Sequence, residues 1–176
     1  MKKQVKINLG AAIIIALGSN LPGHYGSCLD LLEEALTRLP TVGVRIAVCS
    51  PWWRSAAWPD EAQPDYLNCV AIVETALGPH DLLTALLNVE EGFGRRRDVP
   101  NTPRTLDIDL IAYGRIVADE GGLNLPHPRA ADRRFVMGPL AQVAPGWVHP
   151  AIGRTAADLF VSATVGLDAT PIVTTR

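Results

Sequence analysis

The segment Ala11-Ala12-Ile13-Ile14-Ile15-Ala16-Leu17 is apolar throughout and runs into Gly18-Ser19-Asn20. A continuous apolar run with β-branched residues at its centre and a turn at its end predicts a buried central strand. From Leu29 to Leu39 the apolar residues fall at 29, 31, 32, 35, 36 and 39, a helical spacing that Pro40 ends. Val42, Val44, Ile46 and Val48 then alternate, which predicts a strand over 42–48. Residues Pro51 to Pro64 show no period and read as a loop.

Tyr66 to Thr75 is apolar and partly β-branched, a second strand signal closed by Gly78-Pro79. Apolar residues at 82, 83, 86, 87 and 89 predict a helix over Asp81–Phe93, with Gly92 and Gly94 at its end. Arg95 to Pro103 is a polar loop, Leu106 to Tyr113 a strand, and Pro126 to Arg134 a further loop. A short helix is expected over Phe135–Val143, and the tail after Trp147 is weakly patterned. The order strand, helix, strand, strand, helix, strand predicts an α+β fold. Its centre is a ferredoxin-like antiparallel sheet with helices packed on it in three layers, αβα. No internal repeat or linker divides the chain, so residues 1–176 are expected to form one domain. Such a fold hosts many functions, and the site must decide.

Composition narrows the classes. Of 176 residues 48% are hydrophobic and 19% charged, which is ordinary for a globular protein. A net charge of -2 argues against a nucleic-acid scaffold, which needs a broad positive surface. The basic, then apolar, N-terminus superficially suggests a signal peptide, but the strand reading accounts for it better. No segment is long and apolar enough to cross a bilayer. Cys28, Cys49 and Cys69 have no metal-type spacing and read as buried thiols. A cytoplasmic protein in a reducing compartment is the expectation.

Lysine stops at Lys6, and every later positive charge is an arginine. Compositional bias explains that, but not the clustering of Arg95-Arg96-Arg97 with Arg104, or of Arg129 with Arg133-Arg134, around acidic residues. In Pro103-Arg104-Thr105-Leu106-Asp107-Ile108-Asp109-Leu110 the two aspartates are two apart, so on a strand they share a face. Two carboxylates that close repel each other unless a cation sits between them, and magnesium suits all-oxygen ligation completed by phosphates. Arg95, Arg97, Arg104, His127, Arg129 and Arg133 lie in the flanking loops, where guanidinium forks match phosphate oxygens. Arg96 and Arg134 are expected to be solvated surface groups. Tyr66 and Asn68 share a face, an aromatic ring beside an amide that can hold a flat heterocycle. Gly18, at a strand end, would let such a ligand approach the backbone. There is no Walker-type loop and no dinucleotide fingerprint.

These segments together resemble one family, the 6-hydroxymethyl-7,8-dihydropterin pyrophosphokinases. The resemblance runs through Ala16-Leu17-Gly18-Ser19-Asn20, Gln63-Pro64-Asp65-Tyr66-Leu67-Asn68, Phe93-Gly94-Arg95-Arg96-Arg97, Pro103 to Asp109, Leu125-Pro126-His127-Pro128-Arg129 and Arg133-Arg134-Phe135-Val136. It covers a core of about residues 12–160. It implies transfer of diphosphate from ATP to a reduced pterin, with release of AMP, in folate biosynthesis. Two magnesium ions are implied, with Asp107 and Asp109 matching the metal pair. Gly18, Ser55, Ala56, Trp58, Tyr66, Asn68 and Phe135 match the pterin pocket. Glu90, Arg97, Arg104, His127 and Arg133 match ATP-binding positions, and Arg95 and Arg104 match groups on the transferring phosphates. The expected partners are these two small molecules, with no nucleic acid and no membrane, and a monomer is expected.

The chain departs from many members at two places. Val99-Pro100-Asn101-Thr102 stands where some carry an Arg-Trp pair, and Ala56-Ala57 where many carry proline. Two other readings compete: a palm-like, metal-dependent nucleotidyl transferase, which also pairs aspartates, and a non-catalytic ligand-binding domain. The acidic balance and the Tyr66/Asn68 pair disfavour the first. The convergence of Asp107, Asp109 and the arginines disfavours the second.

Overall fold

The computed structural model describes residues 7–95 and 103–172. Five elements carry the first half of the sheet and its helix: β1 (Ile13–Ser19), α1 (Cys28–Arg38), β2 (Arg45–Cys49), β3 (Trp53–Ser55) and β4 (Tyr66–Glu74). Then follow α2 (Pro79–Gly92), β5 (Asp107–Tyr113), β6 (Ala118–Glu120), β7 (Leu123–Leu125), α3 (Arg134–Val143), α4 (Ala156–Ser162) and β8 (Thr170–Pro171).

The main sheet runs β5-β1-β4-β3-β8, with β2 also on β4, and its pairings are antiparallel. β2 and β3 lie end to end along one edge of β4, from Arg45 opposite Glu74 to Ser55 opposite Tyr66. Ser50 spans the break: its N–H donates to Val70 O at 2.9 Å and its hydroxyl accepts the Val70 N–H at 3.0 Å. Taken as one interrupted strand, β2–β3 completes the ferredoxin-like order, with the fourth, first, third and second strands side by side.

The alternation in β1 decides the layers. Ile13, Ile15 and Leu17 face a core shared with Leu31 and Leu32 of α1 and Leu82 and Leu86 of α2. Ile14, with Val70 and Ile72, faces Met137 and Leu140 of α3, Leu159 of α4 and Trp147. The apolar run is therefore buried on both sides, as its composition demands.

The structure departs from the sequence reading at several points. Pro40 opens a 3-10 turn over Leu39–Val42, so β2 starts only at Arg45, and a bulge between Ile46 and Val48 breaks the alternation expected over 42–48. Pro79 sits in the first turn of α2 rather than merely ending the preceding strand, since its missing N–H costs nothing there. The presumed loop 51–64 contains β3. The weakly patterned tail contains α4, which a capping box of Thr155 and Asp158 starts, and β8. The hairpin β6–β7 was not anticipated either. Of the cysteines, all free, only Cys69 is buried; Cys28 and Cys49 are half-buried.

β3 is held by one residue above all. Trp53 is 4% exposed, donates through Nε1 to Gln142 Oε1 at 2.7 Å and meets Phe160 edge-on. Its ring lies over Gly138 of α3, where a Cβ would come within 2.5 Å of Trp53 Cη2. Gly138→Ala is therefore expected to destabilise the fold by about 1–3 kcal/mol through overpacking, read as a lower midpoint in urea with unchanged slope.

Candidate active site

β5 is an edge strand, and its alternation sends Ile108 and Leu110 into the α1/α2 core. Asp107 and Asp109 project to the opposite face, beside Gly18 and Ala16 of β1 in register. Each meets its own cations. Arg104 Nη1 lies 2.7 Å from Asp107 Oδ2, and Arg95 Nη1 lies 2.6 Å from Asp107 Oδ1. Arg133 Nη1 is 3.5 Å and His127 Nε2 is 3.9 Å from Asp109 Oδ2.

The backbone fixes these groups. Asn20, 2% exposed, accepts the Arg104 N–H on Oδ1 at 2.8 Å and donates through Nδ2 to Pro64 O at 3.1 Å. Its own N–H and that of Leu21 donate to Arg104 O. One buried amide thus joins the end of β1, the approach to β4 and the approach to β5. Glu90, 1% exposed, accepts the outward N–H of Ile108 at 2.6 Å and pairs with Arg95. The His127 N–H donates to Ile111 O at 2.8 Å, and its Nδ1 accepts the Arg129 N–H at 3.2 Å, which leaves Nε2 toward Asp109.

Electrostatics follow from crowding. Burial and then the neighbouring Asp107 charge raise the pKa of Asp109, against His127, Arg133 and Arg104. Its side chain keeps 32% of its area open and lines the cleft. Burial lowers the pKa of His127; Asp109 opposes this, and Arg133 and Arg129 add to it. Burial also raises that of Tyr66.

Two clefts meet here. The first is lined by Gly18, Ser55, Ala56, Trp58, Tyr66, Asn68 and Phe135 on one side and by Arg104, Asp107, Asp109, His127 and Arg133 on the other. Asn68 Nδ2 donates to Ser55 Oγ at 3.1 Å, and Gly18 leaves room beside both pocket residues: a Cβ there would lie 3.1 Å from Asn68 Oδ1 and 3.6 Å from the Tyr66 ring. The second cleft is lined by Leu83, Leu87, Ile108, Leu110, Leu123 and Asn124, with Glu90 and Arg95. Asp109 and His127 line both.

Apart from Arg97, which lies outside the described residues, every site residue expected from the sequence borders one of these clefts. Arg134 differs from its expectation as a solvated group: its guanidinium stacks 4.4 Å over the Phe160 ring. Asn20, and Asp60, which lines the first cleft, do not stand out as site residues in the sequence. Asn20 carried a signal in its place at a strand end after glycine; Asp60, in a segment without period, carried none.

The donor set suits a hard cation. Asp107 Oδ1 is buried with the Arg95 guanidinium as its partner, and among the described residues no third His, Cys, Asp or Glu joins the pair. Two carboxylates with the remaining coordination left to phosphate and water fit magnesium.

Paired carboxylates opposed by guanidiniums, on a ferredoxin-like sheet with an aromatic–amide pocket alongside, define a phosphoryl-group transferase. The chain belongs to the 7,8-dihydro-6-hydroxymethylpterin-pyrophosphokinase (HPPK) family, whose model it matches over residues 14–145. It is 43% identical over 136 residues to the 2-amino-4-hydroxy-6-hydroxymethyldihydropteridine pyrophosphokinase of Synechocystis, covering 77% of this chain and 69% of that one. To the protein of that name from Methylorubrum extorquens it is 39% identical over 135 residues, covering 76% and 83%. A solved Plasmodium falciparum HPPK-DHPS shares the fold at a TM-score of 0.69 and 12% identity, over 92% of this chain and 47% of that chain. Among the described residues no helix is long and apolar enough to cross a membrane.

Proposed function

We propose that this cleft transfers the terminal diphosphate of ATP to the hydroxymethyl oxygen of 6-hydroxymethyl-7,8-dihydropterin, releasing AMP, as a step of folate biosynthesis. The observation that carries the reading is the junction of the two clefts at Asp109 and His127. A flat heterocycle fits between Tyr66, Phe135 and the Asn68 amide, and a nucleoside fits the second cleft, whose leucines stand beside polar and charged groups. The phosphates then lie at the shared wall, where the charged side chains converge.

Asp107 and Asp109 would hold two magnesium ions, which when bound neutralise phosphate charge and align the displacement. Asn20 anchors the Arg104 backbone and Glu90 holds the Arg95 guanidinium, and the two forks, which rest on Asp107, would turn from it to the transferring group. His127 and Arg133 reach the same phosphates from the opposite loop, and Arg97 extends that set in our assignment. Glu90 acts through Arg95 and is a positioning residue, because its carboxylate is turned to Arg95 and Ile108. The hydroxymethyl oxygen bonds to the β-phosphorus, the bond from that phosphorus to the α,β-bridging oxygen breaks, and AMP leaves with that oxygen.

Incubation with ATP, magnesium and the reduced pterin alcohol is expected to yield AMP and pterin diphosphate in equal amounts. ADP, free pyrophosphate or no product would contradict the assignment.

A further inference from the structure

The family match ends at residue 145, yet the chain continues through α4 and returns to the first cleft. Thr164 and Val165 donate their N–H groups to Asp132 O at 3.1 and 2.9 Å, and the Arg134 N–H donates to Val165 O at 2.8 Å. The returning segment is thereby bridged to Arg133. Gly166 follows with φ +71° and lies against Phe135, where a Cβ would be 2.6 Å from the ring Cδ1. Asp168 then reaches across: its Oδ2 accepts the N–H of Ala56 at 2.5 Å. Ala169, 2% exposed, anchors the segment, and β8 and Ile172 close it onto Trp53, Arg54 and Trp52.

We propose that residues 164–172 brace the pterin half of the active site, with Asp168 as a positioning residue for the loop from Ser55 to Trp58 and Gly166 as the contact that seats Phe135. The inference rests on reading this cleft as the pterin site. The loop contributes Ser55, Ala56 and Trp58 to the cleft wall, and Trp58 is 52% exposed, so little of its own packing holds it. A carboxylate on a backbone N–H is a charge-assisted bond. It orders the loop before the ligand arrives, so less ordering remains to be done on binding. Of the phosphate-facing residues only Arg133 meets the returning segment, and it does so through Val165 and not through Asp168.

Asp168→Ala is expected to raise the pterin KM about three- to tenfold, leaving kcat and the ATP KM within about twofold. Asp168→Asn, whose amide oxygen can still accept the Ala56 N–H, is expected to restore most of the loss. Deuterium exchange in a peptide spanning residues 53–60 should quicken in the alanine variant, independently of turnover. A pterin KM and exchange rate unmoved by Asp168→Ala would overturn the brace, as would an equal rise in both KM values, which signals general loosening. If the wild-type protein forms no AMP, the pterin reading falls and this inference falls with it. Normal wild-type turnover with an unmoved variant removes the brace alone.

Discussion

Asp109→Asn is expected to lower turnover by about a thousandfold or more while leaving thermal stability close to that of the wild type. Losing several kcal/mol of transition-state charge stabilisation corresponds to roughly three decades in rate. Stability should hold because Asp109 is a poor partner in the protein alone. Its nearest cations stand at 3.5 and 3.9 Å, and burial together with the adjacent Asp107 already disfavours its charge. Neutralising it relieves that repulsion. Steady-state kinetics beside a thermal melt separate the two effects. Activity within tenfold of wild type would remove the metal role from this pair.

Glu90→Ala carries the other large effect, and this time stability falls. The glutamate is 1% exposed and Arg95 only 12%, so solvent screens their pairing little. Removing the glutamate leaves the Ile108 N–H without its acceptor and the guanidinium with Asp107 as its remaining carboxylate partner. Breaking such a buried pair costs about 3–5 kcal/mol, or a fall in melting temperature of roughly 6–20 °C in a chain of this size. Turnover should fall as well, because Arg95 loses the group that aims it at Asp107. Glu90→Gln keeps an acceptor for Ile108 and should recover part of the stability but little of the rate. A melt unchanged in the alanine variant would refute the pairing.

What could be read in advance followed the period of the chain. Two aspartates spaced by one residue on a regular strand must share a face, so Asp107 and Asp109 were legible. The same holds for Tyr66 with Asn68, and for the doubly buried β1. What escaped depends on distant partners. β3 has no alternation of its own; it exists because Trp53 fills the space over Gly138 and because β4 offers an unpaired edge. Val42 was drawn out of the strand by Pro40, which favours a turn after a helix end. Arg134 was read as a solvated charge because nothing near it in sequence reveals Phe160, which lies on α4. The expectation for Glu90 was a position near the nucleotide; its commitment to Arg95 and Ile108 is a tertiary fact that no local pattern reveals. The Thr155/Asp158 capping box, like the place of Asn20 after the glycine at a strand end, was a local signal left unused.

The shortest strand has a consequence for solubility. Without β8, the flank of β3 that holds Trp53 and Arg54 would be a bare row of amides and carbonyls, a template for another chain to stack upon. Two residues suffice to cover it, and one of them is Pro171, whose ring offers no donor to extend the ladder outward. A chain cut before Thr170 should therefore be prone to self-association.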